Sequence, residues 1–149
     1  MIISILIRSL YKREAMLNSL LANLYTQIIK GNYYFNVEVL VNRDNKEITS
    51  GAKANELLLS ASGKYIVFID DDDDVAENYI ELMLEAMKTD ADCIATNGTY
   101  TIDGSKPIKW YLSKDYQDCD GNENGQLIFL RRTNHISPVK RELALMAMF

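Results

Sequence analysis

Five consecutive carboxylates, Asp70-Asp71-Asp72-Asp73-Asp74, are the densest concentration of chemistry in this chain. Adjacent anions repel one another, so something cationic must lie close by. A divalent metal is the first candidate, because hard ions such as Mg²⁺ and Mn²⁺ take carboxylate oxygen. Side chains alternate along extended backbone, which predicts Asp70 and Asp72 on one side and Asp71 and Asp73 on the other. A D-x-D pair can then aim two carboxylates at one ion. The run follows Lys64-Tyr65-Ile66-Val67-Phe68-Ile69, whose apolar body is of strand length and rich in β-branched and aromatic residues. Such a segment predicts a strand buried on both faces of a parallel sheet. The aspartates then stand at its carboxyl end, where open α/β sheets bind ligands.

The elements that must position this rim follow from periodicity. Met1 to Ile7 reads as a first buried strand, with a loop from Arg8 to Arg13 at its carboxyl end. Leu17, Leu20, Leu21, Leu24 and Ile28 recur at helical spacing between Glu14 and Lys30, and Gly31-Asn32 ends that helix. Val37 to Val41 predicts a second strand, followed on the same rim by Asn42-Arg43-Asp44-Asn45. Ser50 is the expected N-cap of a helix that buries Ala54, Leu57, Leu58 and Ala61 and stops at Gly63. Lys53 falls in its first turn, where a cation opposes the helix dipole. It is either solvated or faces an anion, a phosphate or part of the aspartate cluster. A third helix is expected from Val75 to Lys88, with Asp74 as cap and Glu77 as its capping-box partner. Strand–helix–strand–helix–strand–helix implies a parallel sheet with right-handed crossovers.

Beyond residue 92 the pattern changes. Cys93 to Thr96 is short and apolar, and Tyr100–Ile102 and Ile108–Leu112 flank Asp103-Gly104, a hairpin signal whose loop would hold Pro107. Residues 113–125 read as a polar surface loop, Gln126–Leu130 as a strand, and Ser137-Pro138 as the start of a last helix running to Phe149. That helix ends apolar and uncapped. Such an end is expected to pack under further chain, or to seed self-association.

Composition bounds the class. With 149 residues, 48% hydrophobic and 25% charged, the chain is expected to form one domain with its own core. A net charge of -5 lacks the basic stripe of a nucleic-acid surface. Cys93 and Cys119 have no metal-ligand spacing and are too few for a disulfide framework, so a reducing compartment is expected. The apolar opening is too short to span a bilayer and lacks the parts of a signal peptide. The expected location is cytoplasmic, free or peripheral to a membrane.

Several chemistries use closely spaced aspartates. Asp70, Asp72, Asp74 and Glu81 meet the spacing of a calcium EF-hand loop, but Val75 stands where the turn needs glycine and a strand leads in. A receiver domain needs its acidic pair after the first strand, where Arg8-Ser9-Leu10 stand. A phosphatase of the haloacid dehalogenase type sets its D-x-D on the first strand, with threonine or valine where Asp74 is. A purely solvated turn leaves five repelling carboxylates without relief.

Nucleotide-sugar binding remains. The blocks Ser4-Ile5-Leu6-Ile7 with Ser9 and Arg13, Val37 to Val41, Gly51-Ala52-Lys53-Ala54-Asn55, and Gly63 through Asp73 stand in an order and spacing that resembles the GT-A glycosyltransferases, in their family 2-like group. Thr133 to Glu142 resembles a block that follows the acceptor-side hairpin in some members. The resemblance implies a nucleotide-diphospho-sugar transferase fold, a three-layer α/β sandwich with a mainly parallel central sheet and a small acceptor-side hairpin. It implies one such domain over 1–149, with a nucleotide-binding half over 1–92 and a partial acceptor-side half over 93–149. It implies metal-dependent, inverting sugar transfer from a nucleoside diphosphate donor, UDP-sugar favoured, to a glycan, lipid-linked or protein acceptor. Asp72 would hold Mn²⁺ or Mg²⁺; Asp70 would lie toward the ribose and near the ion, and Asp71, Lys53 and Ser9 near the nucleotide. Asn42, Arg43 and Asp44 occupy the place where relatives carry an acidic base-contacting pair, a departure from the pattern, and Arg8 stands where proline is usual. His135, the only histidine, is a further candidate for metal or diphosphate, or else is bonded locally in a loop. Trp110 and Tyr111 are expected to pack rather than to form a sugar platform. No residue matches the general base that inverting transfer needs, so the chain is expected to be incomplete as a transferase. A non-catalytic nucleotide-sugar-binding module and a metal-dependent phosphohydrolase stay open beside it.

Overall fold

The computed structural model describes residues 1–102 and 104–148, so Asp103 of the expected turn and Phe149 of the expected helix lie outside the described residues. The central sheet has the order β2-β1-β3-β8: β1 (Ile3–Leu10), β2 (Val37–Asp44), β3 (Tyr65–Asp70) and the short β8 (Val139–Lys140). The first three strands are parallel and β8 is antiparallel to β3. Strands β1 and β3 are buried nearly throughout, as their continuous apolar sequences require. One face packs Ile3, Ile5, Ile7, Tyr65, Val67 and Ile69 under α1 (Glu14–Gly31) and α3 (Tyr79–Met87). The other packs Leu6, Ile66 and Phe68 under α2 (Ser50–Ser60), with Ala144 and Leu145 of α4 (Arg141–Met146) laid against the same cluster. Each fully buried Leu, Ile or Phe contributes about 1.5–3 kcal/mol, so this two-faced sheet is what holds the rim in place.

Several boundaries differ from the sequence expectations, each for a local reason. The first strand runs on through Arg8, Ser9 and Leu10 instead of ending at Ile7, because these residues pair in register with both β2 and, at Arg8, β3. A single 3-10 turn over Tyr11–Arg13 then leads into α1. Thr49, one residue before Ser50, caps α2 by accepting from the Ala52 N–H at 3.1 Å. Helix α2 ends at Ser60, short of Gly63, which is needed for another purpose: a Cβ there would meet the Ser4 backbone nitrogen at 2.6 Å. Helix α3 begins only at Tyr79, without a side-chain cap from Asp74; Gln27 of α1 instead accepts from the Ile80 N–H at 3.0 Å. Asp74 accepts from Asn23 at 3.0 Å and from the following Val75 N–H at 2.8 Å.

A second sheet, β4-β5-β7-β6, is formed by β4 (Asn97–Ile102), β5 (Ser105–Leu112), β6 (Cys119–Glu123) and β7 (Gln126–Arg131). Pro107 lies inside β5 and not in the hairpin loop, and β6 occupies part of the expected polar loop. Trp110 packs over Gly98, and Tyr111 donates its hydroxyl to Glu123. The segment after Ser137-Pro138 forms β8 before it turns helical at Arg141, because Val139 and Lys140 complete the edge of β3. No helix of the described residues is long and apolar enough to cross a membrane.

Candidate functional site

The parallel register brings Arg8, Asn42 and Asp70 to one level, with Leu10 beside Asp44 two residues further. A cleft of about 440 Å³ opens there, lined by Arg8, Ser9, Arg13, Lys46, Ile48, Ser50, Lys53 and Asp70 to Asp72, with Leu10. It lies at the carboxyl end of the sheet beside β1, from which the chain crosses first to β2 and then to β3. Such a switch in strand order leaves a crevice in open α/β sheets.

Alternation holds only as far as the strand does. β3 ends at Asp70, and the Asp73 N–H bonds back to the Asp70 carbonyl at 3.1 Å, turning the chain. Asp71 and Asp72 therefore both meet Arg13, at 2.7 and 3.3 Å, instead of facing opposite sides. Asp71 is only 1% exposed and also accepts from Ser9 Oγ at 2.7 Å. Asp70 accepts from Arg8 Nη2 at 2.9 Å, and His135 Nε2 lies 3.6 Å from its other oxygen. His135 and then Arg8 hold the Asp70 carboxyl below its usual range, against the desolvation that would raise it. Desolvation and the charges of Asp70 and Asp72 push Asp73 up. Asp71, through its hydrogen bond and its charge, raises the Arg13 guanidinium.

Lys53 is 4% exposed and does face an anion, but that anion is Asp44, not the aspartate run. Its Nζ also donates to the Ser9 carbonyl at 2.8 Å, so one lysine ties α2 to the ends of β1 and β2. Desolvation works to raise Asp44, yet Lys53 and the Ile48 and Lys46 N–H groups outweigh it and bring this carboxyl down to about 2. The turn that presents Ile48 passes through Lys46 in the left-handed region, φ 77°. Asn42 bonds to Glu56 of α2 at 2.7 Å and does not line the cleft.

Thus Ser9, Lys53, Asp70, Asp71 and Asp72 come together around one opening, with His135 and Asp44 touching members of the set. Sequence reasoning named a metal as counter-ion to the aspartates and overlooked Arg8 and Arg13 for that office. Their signal was present: two guanidinium groups at the end of the strand that parallel order sets beside Asp70. Among the described residues no three His, Cys, Asp or Glu side chains gather as a metal-holding group. The donor chemistry nevertheless fits a hard ion. Mg²⁺-type ions are commonly held by one or two carboxylates plus substrate phosphates, and Asp70 and Asp72 present part-exposed carboxylates, 40% and 48%, at the cleft.

Comparison with known proteins bears on what this arrangement is. The crystal structure of S. aureus TarS residues 1-349 aligns with a TM-score of 0.62 at 15% identity, covering 99% of this chain and 49% of that one. The same protein in complex with UDP aligns with a TM-score of 0.57 at 15% identity and the same coverages. This chain therefore spans about half the length of these structures, and the likeness is one of fold. A comparison with curated proteins finds no match. The sequence profile described as "Glycosyl transferase family 2" matches residues 21–143. With that match over most of its length, on a GT-A fold, the chain belongs to glycosyl transferase family 2.

Proposed function

We propose that this chain binds a nucleoside diphosphate-sugar, UDP-sugar favoured, in the cleft at the carboxyl ends of β1, β2 and β3, and serves its transfer to a glycan, lipid-linked or protein acceptor with inversion. The observation that carries this reading is the convergence of Ser9, Lys53 and Asp70 to Asp72 on one opening, in a member of this family. The UDP complex of TarS, a chain of the same fold, supports the choice of nucleotide.

Residues 1–92 then form the nucleotide-binding half and residues 93–149 part of the acceptor side. Asp72 and Asp70, with His135 alongside, would hold Mn²⁺ or Mg²⁺. A bound ion of this kind supplies Lewis-acid stabilisation of the departing nucleoside diphosphate. Asp71, nearly buried at the cleft wall, would act as a positioning residue, fixing Ser9 and Arg13 at the mouth of the cleft. Lys53 and Asp44 fix the wall on the side of β2, where the base would lie. Titration calorimetry with UDP-sugars and GDP-sugars, with and without Mn²⁺, tests the reading. Metal-dependent binding that Asp72→Ala abolishes is the expected result. No metal-dependent binding, or binding indifferent to Asp72→Ala, overturns it.

A further inference from the structure

Arg8, at the mouth of this cleft, is committed before any ligand arrives. Arg8 donates from Nη2 to Asp70 Oδ1 at 2.9 Å and from Nη1 to Ser50 Oγ at 3.0 Å, with its guanidinium 5.5 Å from the centre of the Phe68 ring. Its Nε is buried and has no hydrogen-bond partner. The Arg8 and Asp70 side chains remain 20% and 40% exposed, so the pair sits in the open mouth and not in the core. Guanidinium is a planar fork that matches phosphate oxygens, and Arg8 lines the cleft. Asp70 is in the converse position: it is a carboxylate that could take a cation but already holds one.

We propose that Arg8 is a diphosphate-binding residue gated by Asp70. While the pair is closed, the anion site of Arg8 and the cation site of Asp70 block each other. A divalent cation on Asp70 releases the guanidinium, and a diphosphate on Arg8 releases the carboxylate. This deepens the nucleotide-sugar reading and rests on it for the identity of the natural diphosphate, but the competition can be measured with inorganic ions alone.

Two variants carry mirrored expectations, read with each ion separately. In Arg8→Gln the carboxylate loses its competitor, so Mn²⁺ alone, followed by its electron paramagnetic resonance signal, should bind about two- to fivefold tighter, the scale of a part-exposed ion pair. Inorganic pyrophosphate in EDTA, followed by calorimetry, should bind about tenfold or more weakly, the scale of a lost charged hydrogen bond. In Asp70→Asn both signs reverse: pyrophosphate tightens and Mn²⁺ weakens. Arg8→Lys should recover part of the pyrophosphate affinity. A merely structural role for Arg8 would weaken both ions together. That outcome overturns the proposal, as does pyrophosphate binding indifferent to either variant, or a wild-type chain that binds neither ion. If UDP fails to bind while pyrophosphate and Mn²⁺ follow the mirrored pattern, the nucleotide reading falls and the gated pair stands.

Discussion

Asp71 and Asp72 are chemically identical neighbours that the fold treats in opposite ways, and replacing each by alanine should separate stability from binding. Asp71 is 1% exposed and accepts from Ser9 Oγ and Arg13 Nη1, both at 2.7 Å. Hydrogen bonds to a charged group contribute about 1.5–3 kcal/mol each. The contact with Arg13 counts for less because that side chain is 41% exposed. Asp71→Ala should then cost about 3 kcal/mol. For a chain of this size each kcal/mol moves Tm by about 2–4 °C, so the fall should be about 6–12 °C. Asp72 is 48% exposed and, among the described residues, forms one ion pair, with Arg13 at 3.3 Å. Its loss should cost about 0–1 kcal/mol, while removing Mn²⁺-dependent nucleotide binding. Thermal unfolding followed by circular dichroism, paired with calorimetry of UDP and Mn²⁺, reads both. Equal Tm losses in the two variants, or a fall below about 2 °C for Asp71→Ala, would refute the division of labour drawn from their burial.

Three further expectations rest on other positions. Gly63→Ala drives a Cβ to 2.6 Å from the Ser4 backbone nitrogen and 2.8 Å from the Ile3 carbonyl carbon. Overpacking against backbone costs about 1–3 kcal/mol, measurable by urea denaturation; an unchanged midpoint would show that β1 shifts freely. Gln27→Ala removes the acceptor for the Ile80 N–H and the donor to the Ala76 carbonyl at 2.9 Å. That should cost about 1–3 kcal/mol and speed amide exchange at the start of α3 before any other helix. Asp44 is lowered from 3.8 to about 2, so its contribution to stability is complete above pH 3.8 and is lost as pH falls through about 2. The stability gap between the wild type and Asp44→Asn should accordingly be flat above pH 4 or so and close toward pH 2; a gap that is flat throughout would mean that Lys53 does not hold this carboxylate.

The parts of the fold that could be read in the sequence are those whose burial is written into short-range pattern. The Tyr65–Ile69 run and Leu17, Leu20, Leu24 and Ile28 of the helical stripe are buried as their spacing marks, and Val37 is buried with Leu21, Val39 and Val41 partly so. What escaped depends on partners distant in the chain. Strand β1 extends through Arg8 and Ser9 because β2 and β3 flank them, and polarity hides that extension. Strand β6 is an edge whose Asp120 pairs with Arg131 on the neighbouring strand, so no apolar alternation announces it. The start of α3 is set by Gln27, some fifty residues earlier, and a capping rule that looks three residues ahead cannot find it. For the rim, the aspartates and Lys53 were legible as a charge problem. The solution through Arg8, Arg13 and Asp44 required knowing which strands lie side by side.

The path between the two sheets has a consequence of its own. The chain leaves the parallel sheet near Cys93 and Ile94 and comes back at Pro138 and Val139, and those two points touch: Ile94 N–H donates to the Pro138 carbonyl at 2.8 Å, with a bridge between Cys93 and Val139. Everything from Ala95 to Ser137 is thus an excursion tied off at its neck. Because loop closure depends only weakly on loop length once the ends are joined, this excursion can be lengthened, shortened or exchanged at little cost to the strands beneath. His135 stands just inside the neck, its carbonyl held by the Phe68 N–H at 3.1 Å. A lineage could therefore rebuild the far sheet and keep one imidazole fastened beside Asp70.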